Sequence, residues 1–147
     1  MSSKYLDDDN DFGSRPLTKK QILESIQRKE SLADADMRGI DLTGVSFDGA
    51  DLERAKLAEC NLARASFRNC NLQHASLWHA DCKDATFEGA NLEEADLDFA
   101  NLDGCSFQGA KVRKAIFPFS RLSLEDIQAS VKTGRRVKME RRGLDDE

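Results

Sequence analysis

The chain has 147 residues, a formal net charge of −5 at neutral pH, and charged side chains at 33% of positions. That length suits one domain, and no apolar run approaches the roughly 20 residues that a membrane-spanning helix needs. The polar, acidic stretch from Met1 to Asn10 lacks the basic-then-apolar order of a secretory signal, and Cys60, Cys70, Cys82 and Cys105 have no metal-type spacing. Reduced thiols and a cytoplasmic location are therefore expected.

In chain order, residues 1–16 are expected to be a disordered acidic tail, because Asp7-Asp8-Asp9-Asn10-Asp11 offers nothing to bury. Residues 17–34 should form an N-terminal capping helix running from about Lys19 to Lys29. Thr18 and Gln21 have capping-box spacing, Leu17 and Ile22 can staple the helix start, and Ile22, Leu23 and Ile26 make one apolar stripe.

Residues 35–122 repeat every five positions. Ala50-Asp51-Leu52, Ala90-Asn91-Leu92 and Ala100-Asn101-Leu102 show the pattern: a small residue, a turn-former, then a bulky centre. Seventeen centres run in register from Met37 to Phe117, with Cys82 and Val112 the most divergent. A period of five matches neither a straight strand nor a helix, so the chain must turn once per repeat. The phenylalanine centres Phe47, Phe67, Phe87 and Phe107 add a twenty-residue superperiod, which predicts four repeats per coil and a ladder of rings on one side. About four coils follow, stacked at roughly the 4.8 Å strand spacing. Each coil buries its centres only against its neighbours, and both ends need caps.

These repeats resemble the pentapeptide-repeat family, with its A(D/N)LXX pattern. The resemblance implies an all-β fold, a right-handed quadrilateral β-helix or solenoid, and a protein without catalytic residues or cofactor. Residues 123–134 should cap the other end as a second helix, opened by Ser123, stapled by Leu122 and Ile127, and stopped at Gly134. Residues 135–147 then read as a basic C-terminal tail, either a short final strand or a tether, with Arg135, Arg136, Lys138, Arg141 and Arg142 as its cations.

The register weighs against chemistry by convergence. Cys70 and Cys82 fall on inward positions while His74 and His79 fall on outward ones, so a tetrahedral metal site is not expected. The acidic stretch from Asp81 to Asp103 is dealt onto four sides of a convex rod, which offers no pocket for acid–base work. Residues 35–120 hold 14 acidic and 9 basic side chains, which disfavours direct nucleic-acid binding. One outward feature departs from the polar norm: Trp78, His79, Phe99, Pro118 and Phe119 should gather on one outer face, with His79, Phe99 and Phe119 twenty residues apart. The expected function is a non-catalytic scaffold of a bacterial cytoplasm that meets a protein partner, or itself, through that face, unless the C-terminal helix covers it. The alternatives are an acidic DNA-mimic regulator of a type II topoisomerase (gyrase), as the resemblance suggests, or an adaptor subunit of a larger bacterial assembly.

Overall fold

The structure, a computed structural model, describes residues 16–140; the stretch before Pro16 and the tail after Glu140, including Arg141 and Arg142, lie outside the described residues. Its organising contact is the parallel bridge between residues twenty apart, from Asp36 with Lys56 to Asp96 with Ile116. Twenty residues hold four repeats, so each coil has four sides, and each side stacks on its equivalent in the next coil. The first side carries residues 35–39 and their equivalents, the second 40–44, the third 45–49 and the fourth 50–54. Among the described residues the pairing consists of single bridges, not extended strands, because two residues of every five are spent on a turn.

The repeat pattern follows from satisfying all five backbone N–H groups, as buried backbone must be. Around Leu62, the centre donates to Asp81 O of the next coil (2.7 Å), Arg64 donates to Lys83 O (2.8 Å), and Asn61 donates back to Ile40 O (3.1 Å). Ala65 closes the turn onto Leu62 O at 3.0 Å. The fifth donor, Ala63 N–H, is met by the side chain of Asn61 at 3.2 Å. That last bond is why Asp, Asn, Ser or Thr precedes so many centres; the same contact recurs from Asp41 to Thr43, Asn71 to Gln73, Asp81 to Lys83 and Asn91 to Glu93. On the second side the column alternates Asp41, Asn61, Asp81, Asn101. Alternation puts an amide between carboxylates that would otherwise repel at one coil's spacing, and Asn101 Nδ2 donates to Asp81 Oδ1 at 3.3 Å.

The residue two after each centre turns the corner with positive φ, at every repeat from Asp34 to Lys114. Gly39, Gly44 and Gly49 hold this conformation without steric cost. Gly104 is needed for a second reason, since a Cβ there would press on the Asp84 side chain and come within 3.3 Å of Asp84 N.

Inside, the centres from Leu32 to Leu102 are fully buried. Phe47, Phe67, Phe87 and Phe107 stack in a column with centroids 5.0, 5.0 and 5.2 Å apart and planes within 4°. Alanine precedes most centres by two because the space between opposite sides admits little else. Leu32 extends the repeats one step before Met37: its N–H donates to Asp51 O at 2.9 Å and its carbonyl closes the Ala35 turn. The sequence pattern hid this repeat because Glu30 stands where a small residue is usual.

Two helices close the ends. Helix α1, Lys19–Gln27, starts at a capping box of Thr18 and Gln21. It ends two residues earlier than the sequence suggests, in a Schellman turn: Lys29 adopts φ 58°, and Glu30 N–H reaches back to Ser25 O at 2.9 Å. That turn sends the chain into the first repeat, and Ile22 is buried beneath α1. Helix α2, Leu124–Thr133, starts at Ser123 and Asp126 and stops at Gly134 in a left-handed conformation. Leu122, Ile127 and Ser130 are buried against the last coil.

Beyond α2 the basic segment is docked, at least through Glu140. Gly104 N–H donates to Val137 O and Val137 N–H donates to Cys105 O, both at 2.8 Å, and Val137 is buried. Of the proposed tether cations, Arg135, Arg136 and Lys138 are exposed, but their backbone lies along the second side. Arg136 Nη1 also donates to Gly104 O at 2.6 Å. Over 135–140 the segment is a final rung of the ladder and not a free arm, because Val137 finds apolar cover and unpaired backbone at the rod's end.

Candidate functional site: an aromatic cluster on the first side

The first side changes character along the rod. Its outward positions run Asp36, Arg38 and Gly39, then Lys56, Ala58 and Glu59, then Ser76, Trp78 and His79, then Asp96, Asp98 and Phe99, then Ile116. Six large apolar side chains are exposed among the described residues, and three of them, Trp78, Phe99 and Ile116, share this side near the C-terminal end. Since the other sides keep polar surfaces, the clustering is a property of this side and not of the repeat.

Trp78, His79 and Phe99 form a compact unit. His79 stacks on Phe99 with centroids 5.5 Å apart and planes 12° from parallel. Trp78 meets both rings edge-on, at 4.6 Å from His79 and 6.1 Å from Phe99. The stacking arises because His79 and Phe99 occupy the same corner position on successive coils, where positive φ (62° for each) throws the side chain outward. That backbone conformation costs an L-residue with a Cβ roughly 1–2 kcal/mol relative to glycine. Phe99 is 58% exposed there, so its ring lies outside the buried column that holds the fold together.

Pro118 and Phe119 do not join the cluster. Phe119 follows the twenty-residue spacing in sequence, but the register ends at Pro118, which is buried. Phe99 N–H, which the pattern would direct to Pro118 O, turns instead to Asp98 Oδ1 at 3.0 Å. Phe119 bonds its N–H to Phe117 O and packs edge-on against Phe117 at 5.9 Å, so it sits beside the end of the column and not on top of Phe99. Nor does α2 cover the cluster. It lies over the phenylalanine side, where Ser130 Oγ accepts from Phe107 N–H (2.9 Å) and Val131 O accepts from Gly109 N–H (2.9 Å).

The histidines and cysteines stay apart. His74 lies on the fourth side, 3.9 Å from Glu94, while His79 is in the aromatic cluster. Among the described residues no group of three or more His, Cys, Asp or Glu side chains is placed to hold a metal ion. All four cysteines are free and buried. Three share one role: Cys60, Cys70 and Cys105 donate their thiols to Met37 O, Phe47 O and Cys82 O, twenty-three residues back, at 2.8, 2.8 and 3.0 Å.

Burial pushes the Cys60 thiol up to about 11 and Cys70 to about 12, and holds Cys82 and Cys105 well above the ordinary thiol range. Since the thiolate is the nucleophile, the folded protein should resist maleimide at pH 8 and take up four equivalents only once unfolded. The same shifts set a pH limit. Unfolded thiols ionise near 9 while the folded ones stay protonated, so this contribution is intact below 9 and is lost as pH rises through 9 toward 11–12. Denaturation midpoints should fall over that window.

Comparison with known proteins agrees with this architecture. A sequence profile described as a pentapeptide repeat region matches residues 32–117. Among solved structures, the chain is similar to alr5209, a pentapeptide repeat protein from Nostoc Pcc 7120, at 32% identity and a TM-score of 0.65, covering 71% of this chain and 88% of that one. It is also similar to AT2G44920, a pentapeptide repeat protein from the Arabidopsis thaliana thylakoid lumen, at 32% identity and a TM-score of 0.54, covering 54% of this chain. That match spans 55% of the Arabidopsis protein's length. No curated protein sequence matches. The chain belongs to the pentapeptide-repeat family, and its body is a β-solenoid. Among the described residues no helix is long and apolar enough to cross a membrane.

Proposed function

We propose that this protein is a non-catalytic interaction scaffold, a right-handed rod of about four coils counted over residues 35–122, which binds a protein partner through the Trp78–His79–Phe99 cluster. The observation that carries this reading is Phe99. It is 58% exposed at a corner position where every other repeat places glycine or a polar or charged side chain. An exposed apolar ring at a corner lies outside the buried column and is suited to contacts made outside the chain. Tryptophan and phenylalanine are also the side chains that dominate interface cores. The partner is a protein segment that can cover two rings and leave His79 at the rim.

The test separates stability from binding. Phe99→Asn should leave stability unchanged or raise it by about 0.5–1 kcal/mol, since asparagine tolerates left-handed φ. Asn69 already holds that conformation on another side. Affinity capture from the native host, with the wild type as bait and Trp78→Ala/Phe99→Asn as control, should lose the specific partner with the double variant. If Phe99→Asn destabilises the protein by more than 1–2 kcal/mol, or the double variant retains every partner, the cluster is structural and the reading fails.

A further inference from the structure

Two carboxylates stand among the rings of the first side. Ser76 bridges to Asp96, and His79 N–H donates to Asp98 O at 3.0 Å, so the ladder sets Asp96 over Ser76 and Asp98 over Trp78, one coil on. That step is roughly 4.8 Å. Glu59 stands one coil before His79 at the same corner. Across residues 75–79 and 95–99 this side carries no lysine or arginine. Glu59, Asp96 and Asp98 make no ion pair with any described residue. Asp96 Oδ1 accepts from Asp98 N–H at 2.9 Å and Asp98 Oδ1 from Phe99 N–H at 3.0 Å, which leaves the second oxygen of each without a partner among the described residues.

The first coil shows what a carboxylate at this position does with a guanidinium in reach. Asp36 is the equivalent of Asp96 three coils earlier, and its Oδ1 likewise takes the amide two residues on, that of Arg38 at 3.2 Å. Arg38 then forks onto the same carboxylate, with Nε donating to Oδ1 at 2.8 Å and Nη2 to Oδ2 at 2.7 Å. In the fourth coil, position 98 holds a second carboxylate where the first coil holds that arginine. Asp96 and Asp98 are half-buried and repel each other, and no cation on their own side offsets this.

We infer that the protein segment docking on the aromatic cluster carries an arginine, whose guanidinium takes at Asp96 and Asp98 the place that Arg38 fills at Asp36, and lies against the Trp78 ring. This rests on the reading of the cluster as a partner surface, and adds the chemistry that the partner brings. A guanidinium suits the site because it is planar: it stacks on an indole while its N–H fork stays free for carboxylates. Covering the rings excludes water, which strengthens those charge-assisted bonds. An acidic segment would be repelled by all three carboxylates. A wholly apolar one would take Asp96 and Asp98 out of water with nothing to pair them.

Selection from a displayed library of random peptides tests this, with the full-length wild type as bait and the Trp78→Ala/Phe99→Asn protein for counter-selection. Enriched peptides should carry an arginine beside an apolar side chain. Binding of one such synthetic peptide is read from the fluorescence of Trp78, the chain's only tryptophan. Replacing its arginine by citrulline, which keeps the shape and removes the charge, should weaken binding by about tenfold or more. Asp96→Asn/Asp98→Asn should weaken the arginine peptide by a similar factor and leave Tm unchanged, because asparagine makes the same turn contact at Asn91 and Asn101. If no peptide is enriched, or the enriched peptides bind the Trp78→Ala/Phe99→Asn protein equally well, the cluster is not a docking surface and the arginine falls with it. Peptides that need the cluster but lack arginine, bind equally well with citrulline, or ignore the loss of both carboxylates overturn the arginine alone and leave the docking surface standing.

Discussion

Replacing Phe67 by alanine is expected to cost about 3–5 kcal/mol of stability, the range for truncating a fully buried aromatic. Phe67 has no exposed surface and lies between Phe47 and Phe87, each 5.0 Å away and within 3° of parallel. Alanine removes both stacking contacts and leaves a void that the neighbours cannot fill, because every coil is tied to the next at fixed spacing by the bridges on all four sides. In a rod stabilised by nearest-neighbour contacts, a weak coil in the middle also uncouples the two halves. The substitution should therefore lower the denaturation midpoint and broaden the transition. Phe67→Leu keeps the centre filled, as leucine does on the other sides, and should cost less than about 1.5 kcal/mol. Urea unfolding of the two variants beside the wild type decides this; equal effects would mean that the ring stack adds nothing beyond filled volume.

The second large effect is expected at the C-terminal cap. Ile127 is fully buried under α2 and packs on the last coil, so Ile127→Ala should cost about 2–5 kcal/mol. Ser130 has a separate duty: its hydroxyl takes the Phe107 amide at 2.9 Å, in place of the carbonyl a further coil would supply. Ser130→Ala leaves that buried donor unsatisfied at a cost of about 1–3 kcal/mol. The two losses should differ in character as well as size. The Ser130 variant should show faster exchange at the Phe107 amide with α2 still docked. The Ile127 variant should release α2 and expose the apolar end, read as increased dye binding and aggregation on heating.

Much of the body was legible in advance because the physics is periodic. A buried centre every five residues and a phenylalanine every twenty identify the inward positions and the ring ladder, and the stacked rings follow from that spacing. Thr18 with Gln21 and Ser123 with Asp126 are local enough that the helix starts could be read directly. The departures lie where the period breaks. The repeat centred on Leu32 is hidden in the pattern because Glu30 stands at its small position, although the five-residue spacing of Leu32 to Met37 is a usable signal. Phe119 keeps the sequence spacing but loses the register, because the chain leaves the ladder at Pro118, whose carbonyl accepts from Arg121 N–H and not from Phe99.

The candidate site shows the same division. The pairing of His79 with Phe99 was contained in their twenty-residue spacing, since equal positions on successive coils must stack. Whether α2 covers that pair was not. The direction of α2 depends on how Leu122, Ile127 and Ser130 fit the last coil, through contacts such as Ser130 with Phe107, 23 residues apart in sequence. The docking of the basic segment depends likewise on Val137 reaching Gly104 and Cys105. By itself, then, the sequence determined the coil, its sides and the residue each side buries, because every coil meets only neighbours that repeat its own pattern. Only the tertiary structure decided where the register stops, which sides of the last coil α2 and the basic segment cover, and which aromatics remain exposed, because an end has no repeating neighbour and its contacts depend on the path of the chain.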